Sequence, residues 1–291
     1  MMKWKKTLTV LCIALLSVMM LSGCSDNAKK LLKDAIAKNN TLKAVENKLV
    51  FSMDSNVPSM AALSGMSYTM DSITVKTGDN ALIGDMITVI SVSAMGQEVE
   101  MGNMYIKDLV FYFDLPVMGM KYYAELPDEI KSQISEMGEE AAIAMNAIDW
   151  SSLFKDLKSK KVGNDTVISF SVNSDLIQGF MELALESSGQ EVTDEQSAQM
   201  LEAFKNIKLN GTGTFTISSE GYVIGTTLEL LFTDPEDTNQ TITFHVENVI
   251  TPLADNYKLE FPDFDDFVSY EELENSLQET PEEIEEPEGE E

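Results

Sequence analysis

The chain predicts an α+β fold built on one large antiparallel sheet, with its helices gathered on one face. Three observations carry this. Apolar side chains recur at period two from Glu46 to Leu126 and again from Ile207 to Leu253, the pattern of half-buried antiparallel strands. Between those blocks the apolar spacing lengthens to that of a helix. Turn residues interrupt the strand blocks at hairpin spacing. Strands, then helices, then strands is the segregated order of an α+β protein.

Ser25 to Ala44 predicts a helix, with Leu31, Leu32, Ala35 and Ile36 on one face, lysines 29, 30, 33 and 38 on the other, and Asn39-Asn40 at its end. Leu49, Phe51 and Met53 alternate with Lys48, Ser52 and Asp54 as a first strand. Further strands are predicted at 67–77, 82–95, 98–107, 109–115 and 119–126, separated by Thr77-Gly78-Asp79-Asn80, Met95-Gly96-Gln97, Lys107-Asp108 and Pro116 to Gly119. Pro127 to Lys161 predicts helix. Pro127 suits a first turn, and Ile130, Ile134, Met137, Ala141 and Met145 form a stripe. Asp149 is placed to cap a shorter helix carrying Leu153, Phe154 and Leu157. Val162 to Val172 predicts a strand. Ser174 and the Thr193-Asp194-Glu195-Gln196 string open two helices. Period two returns through Phe215 and Ile217, Leu228, Leu230 and Phe232, then Ile242, Phe244 and Val246, and Tyr257 to Phe261 is a last extended piece. Residues 275–291 are acidic and carry Pro281 and Pro287, the composition of a disordered tail. The predicted organisation is a leader at 1–23, one domain at 24–270 and a tail at 271–291.

The leader has three parts. Lys3, Lys5 and Lys6 are positive. Thr7 to Met20 is an uncharged, mostly apolar run of 14 residues, short of the roughly 20 that a membrane span needs but suited to a signal peptide. Leu21-Ser22-Gly23-Cys24 closes it. This string resembles the lipobox of bacterial lipoproteins, Gram-positive ones among them. The resemblance implies diacylglyceryl transfer to the Cys24 thiol, cleavage between Gly23 and Cys24, and a mature chain held on the extracytoplasmic side of the cell membrane. Cysteine count agrees. Cys12 leaves with the leader, so Cys24 is the one thiol of the mature chain and no intramolecular disulfide forms. Two acyl chains are enough for stable anchoring, where one binds reversibly.

Composition excludes several functions. Net charge is −29, or −32 once three leader lysines are gone. That sign opposes nonspecific nucleic-acid binding and contact with anionic headgroups, so any membrane contact is expected from the anchor or from apolar surface. The sequence contains no arginine, the usual bidentate grip on phosphate and carboxylate.

The order of elements resembles the LolA/LppX-like fold. Met104-Tyr105-Ile106-Lys107-Asp108-Leu109-Val110-Phe111-Tyr112 is similar to its Tyr-x-x-Asp-Gly-x-x-Tyr hairpin, with Leu109 in place of the glycine. Met120-Lys121-Tyr122-Tyr123, Val162 to Thr166 with the helix start near Ser174, and Phe261-Pro262-Asp263-Phe264 match later parts of that pattern. The resemblance implies a curved half-barrel sheet with helices packed on its concave face, and a cavity for a lipid or an acylated protein.

No residue pattern points to catalysis or to a bound cofactor. There is no Gly-x-Ser-x-Gly, P-loop or dinucleotide fingerprint, and no histidine pair for zinc. The single histidine, His245, alternates away from Phe244 and Val246 and is expected on a solvent face. Asp234 to Asn239 lacks calcium-loop spacing and reads as a solvated turn. Met118-Gly119-Met120 has soft-metal chemistry but no partnering histidine or cysteine. Trp150 is expected as a core anchor. Methionine is the unusual residue: 14 follow Cys24, and 12 of these lie between Met53 and Met145. Methionine fills irregular cores and also lines adaptable apolar sites. The sequence therefore supports two non-enzymatic readings: an anchored carrier of an apolar ligand, or an envelope interaction protein without one.

Overall fold

The computed structural model describes residues 26–77, 84–94, 96–127, 154–173, 208–233 and 237–278. Helix α1, Asp26–Asn39, leads into strand β1, Ala44–Ser55, and a 3-10 turn at Pro58–Leu63. A meander follows: β2 Met66–Val75, β3 Asp85–Ala94, β4 Gln97–Lys107, β5 Val110–Leu115 and β6 Met120–Glu125. Then come β7 Lys155–Val162, β8 Asp165–Asn173, β9 Lys208–Ile217, β10 Val223–Thr233 and β11 Thr241–Pro252. The short β12, Val268–Ser269, precedes helix α2, Tyr270–Gln278.

The twelve described strands form one sheet in the order β12-β6-β5-β4-β3-β2-β1-β11-β10-β9-β8-β7. It is a large curved sheet that does not close, and its pairs are antiparallel except β12 with β6. The predicted fold class holds in that form. The first strand pairs with β11, from the end of the chain, over eleven residue pairs. This long-range pairing joins the meander to the second strand block.

Alternation sorts the side chains onto two faces. On one, Leu49 and Met53 of β1 line up with Phe244 and Val246 of β11, then Leu228 and Leu230 of β10, Phe215 of β9 and Phe170 of β8. Helix α1 buries Ala28, Leu32, Ala35 and Ile36 in the same cluster. Leu32 is fully buried, which contributes about 1.5–3 kcal/mol. Asn39 ends the helix and fastens it. Its amide donates to the Val223 carbonyl at 2.8 Å and accepts from the Val223 N–H at 2.8 Å. Strand β9 presents Gly211 and Gly213 to this core, which leaves room for Leu230 and Phe170 to lie across it.

Three expectations change. The helix predicted over Pro127 to Lys161 falls mostly on residues outside those described, but its end is strand β7. Phe154 and Leu157 are buried as predicted, yet in extended chain. A β-bulge between Lys155 and Lys158 puts Asp156 at φ 56°, and the extra residue turns the apolar spacing from two to three, which mimics a helix. The predicted tail boundary at 271 also moves. Ser269 and Glu272 form a capping box, with Glu272 N–H donating to Ser269 Oγ at 3.2 Å and Ser269 N–H to Glu272 Oε2 at 3.1 Å. With Glu271 and Glu272 in the first turn, α2 forms despite its acidity. Tyr257 to Phe261, expected as a last extended piece, is an irregular strap outside the sheet. The helices predicted from Ser174 and Thr193 lie outside the described residues, and α1 is the described helix packed on this core.

Candidate functional site

The methionines converge on one face. Register places Met66 and Met70 of β2, Met86 of β3, Met104 of β4 and Met120 of β6 on the side that continues the core past Met53. Phe111, Phe113 and Tyr122 join them, and Phe113 stacks on Tyr122 at 5.0 Å. These side chains are half-buried, unlike the core under α1. At the middle sits Thr88, buried with its hydroxyl unpartnered, beside Met104 and Ser72. An apolar surface with a few polar groups is the usual chemistry of a small-molecule site.

The opposite face differs at its two ends. Over β2 to β6 it is mixed, with Ile73, Ile87, Tyr105 and Tyr112 among polar side chains, and the C-terminal strap packs on its β4 and β5 aromatics. Tyr105 and Tyr112 receive Phe264 and Phe267, with Tyr112 and Phe264 stacked at 3.8 Å and 12°. Lys121 ties the strap down through Asp266 at 2.7 Å. That hydrogen bond raises the lysine pKa and holds the Asp266 carboxyl below its ordinary range. Burial pushes the Tyr105 and Tyr112 hydroxyls up.

Over β1 and β7 to β11 this face is polar and carries a groove of about 730 Å³. Ser52, Ser169, Thr212 and Thr227 line it with Glu229 and Lys158. Thr214 and Thr227 share a hydroxyl hydrogen bond at 2.7 Å. His245 stands in this groove as alternation predicted. It is 41% exposed, with Nδ1 3.4 Å from Glu229 and Nε2 3.5 Å from Asp54. Its hydroxyl and charged lining is polar in character, and it lies on the other side of the sheet from the methionines. Sequence reasoning missed it because a stripe of Ser and Thr on strands is also the ordinary solvent face of a sheet.

The remaining candidates are placed as follows. Cys24, Gly23 and Trp150 lie outside the described residues. Met118 is at an exposed hairpin tip beside Gly119 at φ 64°, while Met120 turns onto the methionine face, so the pair does not converge. The Asp237 carboxylate accepts from the Asn239 N–H at 3.1 Å, the Asn239 amide at 3.0 Å and the Gln240 amide at 3.1 Å, which hold its pKa down. It is a turn clamp. Leu109 keeps the hairpin despite lacking the glycine: Asp108 and Leu109 stand at φ 53° and 63°. Among the described residues, no helix is long and apolar enough to cross a membrane.

The fold and these two faces define an open, curved antiparallel-sheet protein. A comparison with protein families and with curated proteins finds no match. Among solved structures, the chain is similar to the crystal structure of a β-barrel-like protein of a domain of unknown function, DUF1849, from Brucella abortus. The identity is 11% and the TM-score 0.20, over 72% of this chain and 97% of that one.

Proposed function

We propose that the protein is a non-catalytic, lipid-anchored extracytoplasmic binding protein that holds an apolar ligand, a lipid or acyl chain, against the methionine face. One observation carries this reading: methionines from β2, β3, β4 and β6 share a half-buried face with Phe111, Phe113 and Tyr122. Thioether side chains repack around apolar groups of varied shape, and each methylene they cover is worth about 0.8 kcal/mol. The anchor part of the reading is supported by the Leu21 to Cys24 string. Native mass spectrometry of the mature chain purified from its own cells tests the ligand. A co-purifying lipid mass is expected, lost when Met70→Glu and Met104→Glu are introduced into a chain that still melts cooperatively. No lipid in the native preparation, and no uptake of added fatty acid, would sink the carrier reading. For the anchor, Cys24→Ala should yield an uncut or membrane-released protein. Detergent partitioning with an unchanged mature N-terminus would refute it.

The second reading is an envelope interaction protein with no small ligand. The groove beside His245 favours it, because its lining of Ser, Thr, Glu and Lys side chains suits the polar surface of a protein partner. Cross-linking in cells separates the two readings. Reproducible adducts through groove residues, from a lipid-free protein, favour the second.

A further inference from the structure

We propose that the lysines of α1 and β7 form a basic surface beside the N-terminal anchor, and that this surface docks the sheet edge-on against anionic phospholipid headgroups. The proposal rests on the lipid-anchor reading of Cys24 and adds the surface that the anchor presents to the membrane.

Lysine is unevenly distributed. Of the 17 that follow Cys24, five lie between residues 29 and 43 and four between 155 and 161. Those two stretches hold Asp34 and Asp156 as their carboxylates, with Asp26 just before the first. The other eight lysines are spread among 46 acidic residues. Far apart in sequence, the two basic stretches come together at the β7 edge: α1 touches β7 from the core face, and Lys158 and Lys160 project from β7 on the other face, so the lysines flank the edge from both sides.

The direction of the helix follows from its fixed end. The Asn39 amide grips Val223 at the start of β10, and Lys38 donates to the Glu220 carbonyl and lies 4.1 Å over Tyr222. Three strand spacings, about 14 Å, separate β10 from β7. A helix of 14 residues is about 21 Å long, so its early turns reach toward β7. Cys24 precedes Asp26 by two residues, a span of about 7 Å at most. An anchor at Cys24 therefore stays within that reach of the helix start at Asp26. Lys30, Lys33, Lys158 and Lys160 are exposed, and among the described residues no carboxylate pairs with them.

A plainer account exists for each stretch alone. Lysines mark the solvent face of an amphipathic helix, and they protect a free sheet edge from pairing with another chain. Neither accounts for the difference between the two edges. The far edge, around β12, carries Asp263, Asp265, Asp266, Glu271 and Glu272. Eleven strand spacings, roughly 50 Å along the sheet, separate the edges. The screening length at physiological salt is about 8 Å. The membrane therefore senses the basic edge, and the net charge of −29 does not decide the contact. This revises the expectation from composition that the surface as a whole repels such headgroups.

The test uses the mature chain, residues 24–291, coupled through its sole thiol, Cys24, to a maleimide phospholipid. The coupling does not depend on acylation in the cell. Intact mass of protein purified from its own cells reads that acylation separately, so either reading fails on its own measurement. The coupled protein is held on vesicles of phosphatidylcholine alone or of phosphatidylcholine with phosphatidylglycerol, and its lysines are acetylated with a water-soluble reagent. On the anionic vesicles Lys30, Lys33, Lys158 and Lys160 should react about fivefold more slowly relative to exposed Lys258, since an anionic surface holds each nearby lysine by about that factor. High salt should abolish the difference. Equal rates on both vesicles overturn the proposal. So does protection that is the same on neutral vesicles or survives high salt, because the tether alone would then be shielding them.

Discussion

Gly213→Ala should destabilise the domain by about 2–3 kcal/mol, although alanine is the smallest possible addition. Gly213 lies between Phe170 of β8 and Leu228 of β10. A Cβ there would overlap the tip of the Phe170 ring, with Phe170 Cε2 at 2.8 Å and the Thr227 carbonyl oxygen at 2.6 Å. The oxygen is backbone and does not rotate away. The ring is itself held, stacked on Phe215 at 4.8 Å and edge-on to Phe154 at 4.5 Å. Overpacking of this kind costs about 1–3 kcal/mol, and disturbing an aromatic pair adds about 0.5–1.5 kcal/mol. Alanine returns about 0.5–1 kcal/mol by restricting the unfolded chain. In a domain of this size each kcal/mol moves the melting temperature by about 2–4 °C. Urea and thermal melts of residues 24–291 read the change. Phe170→Leu should relieve part of the clash, so the double variant should lose less than the sum of the two single losses. A Gly213→Ala protein as stable as the parent, or strictly additive double-variant losses, would refute the packing argument.

Leu109→Gly should stabilise the chain by about 1 kcal/mol, because a branched side chain at φ 63° bears a left-handed penalty of about 1–2 kcal/mol that glycine does not. Chemical denaturation reads it, and a loss of stability would show that the Leu109 side chain has a packing role. Asn39→Ala should cost about 1–3 kcal/mol by leaving the Val223 N–H and carbonyl without their partner, and hydrogen exchange should speed up first at Val223. Lys121→Gln should return the Asp266 carboxyl toward its ordinary range in an NMR titration. The sign follows from the directions. The depressed Asp266 favours the folded strap above the normal carboxylate pKa, and that contribution is lost as pH falls through its folded value. The raised Lys121 contributes below the normal lysine pKa and loses its contribution as pH climbs through its own.

Most of the sheet was legible because alternation survives wherever one face is buried. The strands from Met66 to Glu125 begin and end within three residues of their predicted bounds. His245 was placed on the correct face by the same rule. The failures have local causes. The bulge at Asp156 broke the period and disguised β7 as a helix end. The Ser269 to Glu272 capping box was overlooked beneath the tail's acidity. Strand neighbours were not legible either: nothing local in Leu49 or Phe51 announces Asn248 or Val246 as partners. The groove beside His245 depends on that pairing, since His245 meets Glu229 only when β10 and β11 are in register.

The two halves of the sheet bury different amounts of themselves, and this bears on function. From β8 to β11 one face is core and the other is hydroxyls and charges, the ordinary economy of an antiparallel sheet. From β2 to β6 the methionine face is apolar and the other face carries an apolar patch among polar side chains. Ile73, Ile87, Tyr105 and Tyr112 share the strap face, and the strap answers them with Phe264 and Phe267. On the reverse, Met70, Met86, Met104 and Met120 are half-buried, where a core finished like the one under α1 would bury them fully, as it does Leu32 and Phe215. Rigid, branched side chains give a core one solution, and methionine gives it many. A sequence that uses Leu, Ile and Phe under α1 and methionine across β2 to β6 separates a fixed interior from an adaptable one. That division, more than the abundance of methionine, is what supports the proposed apolar occupant on that face.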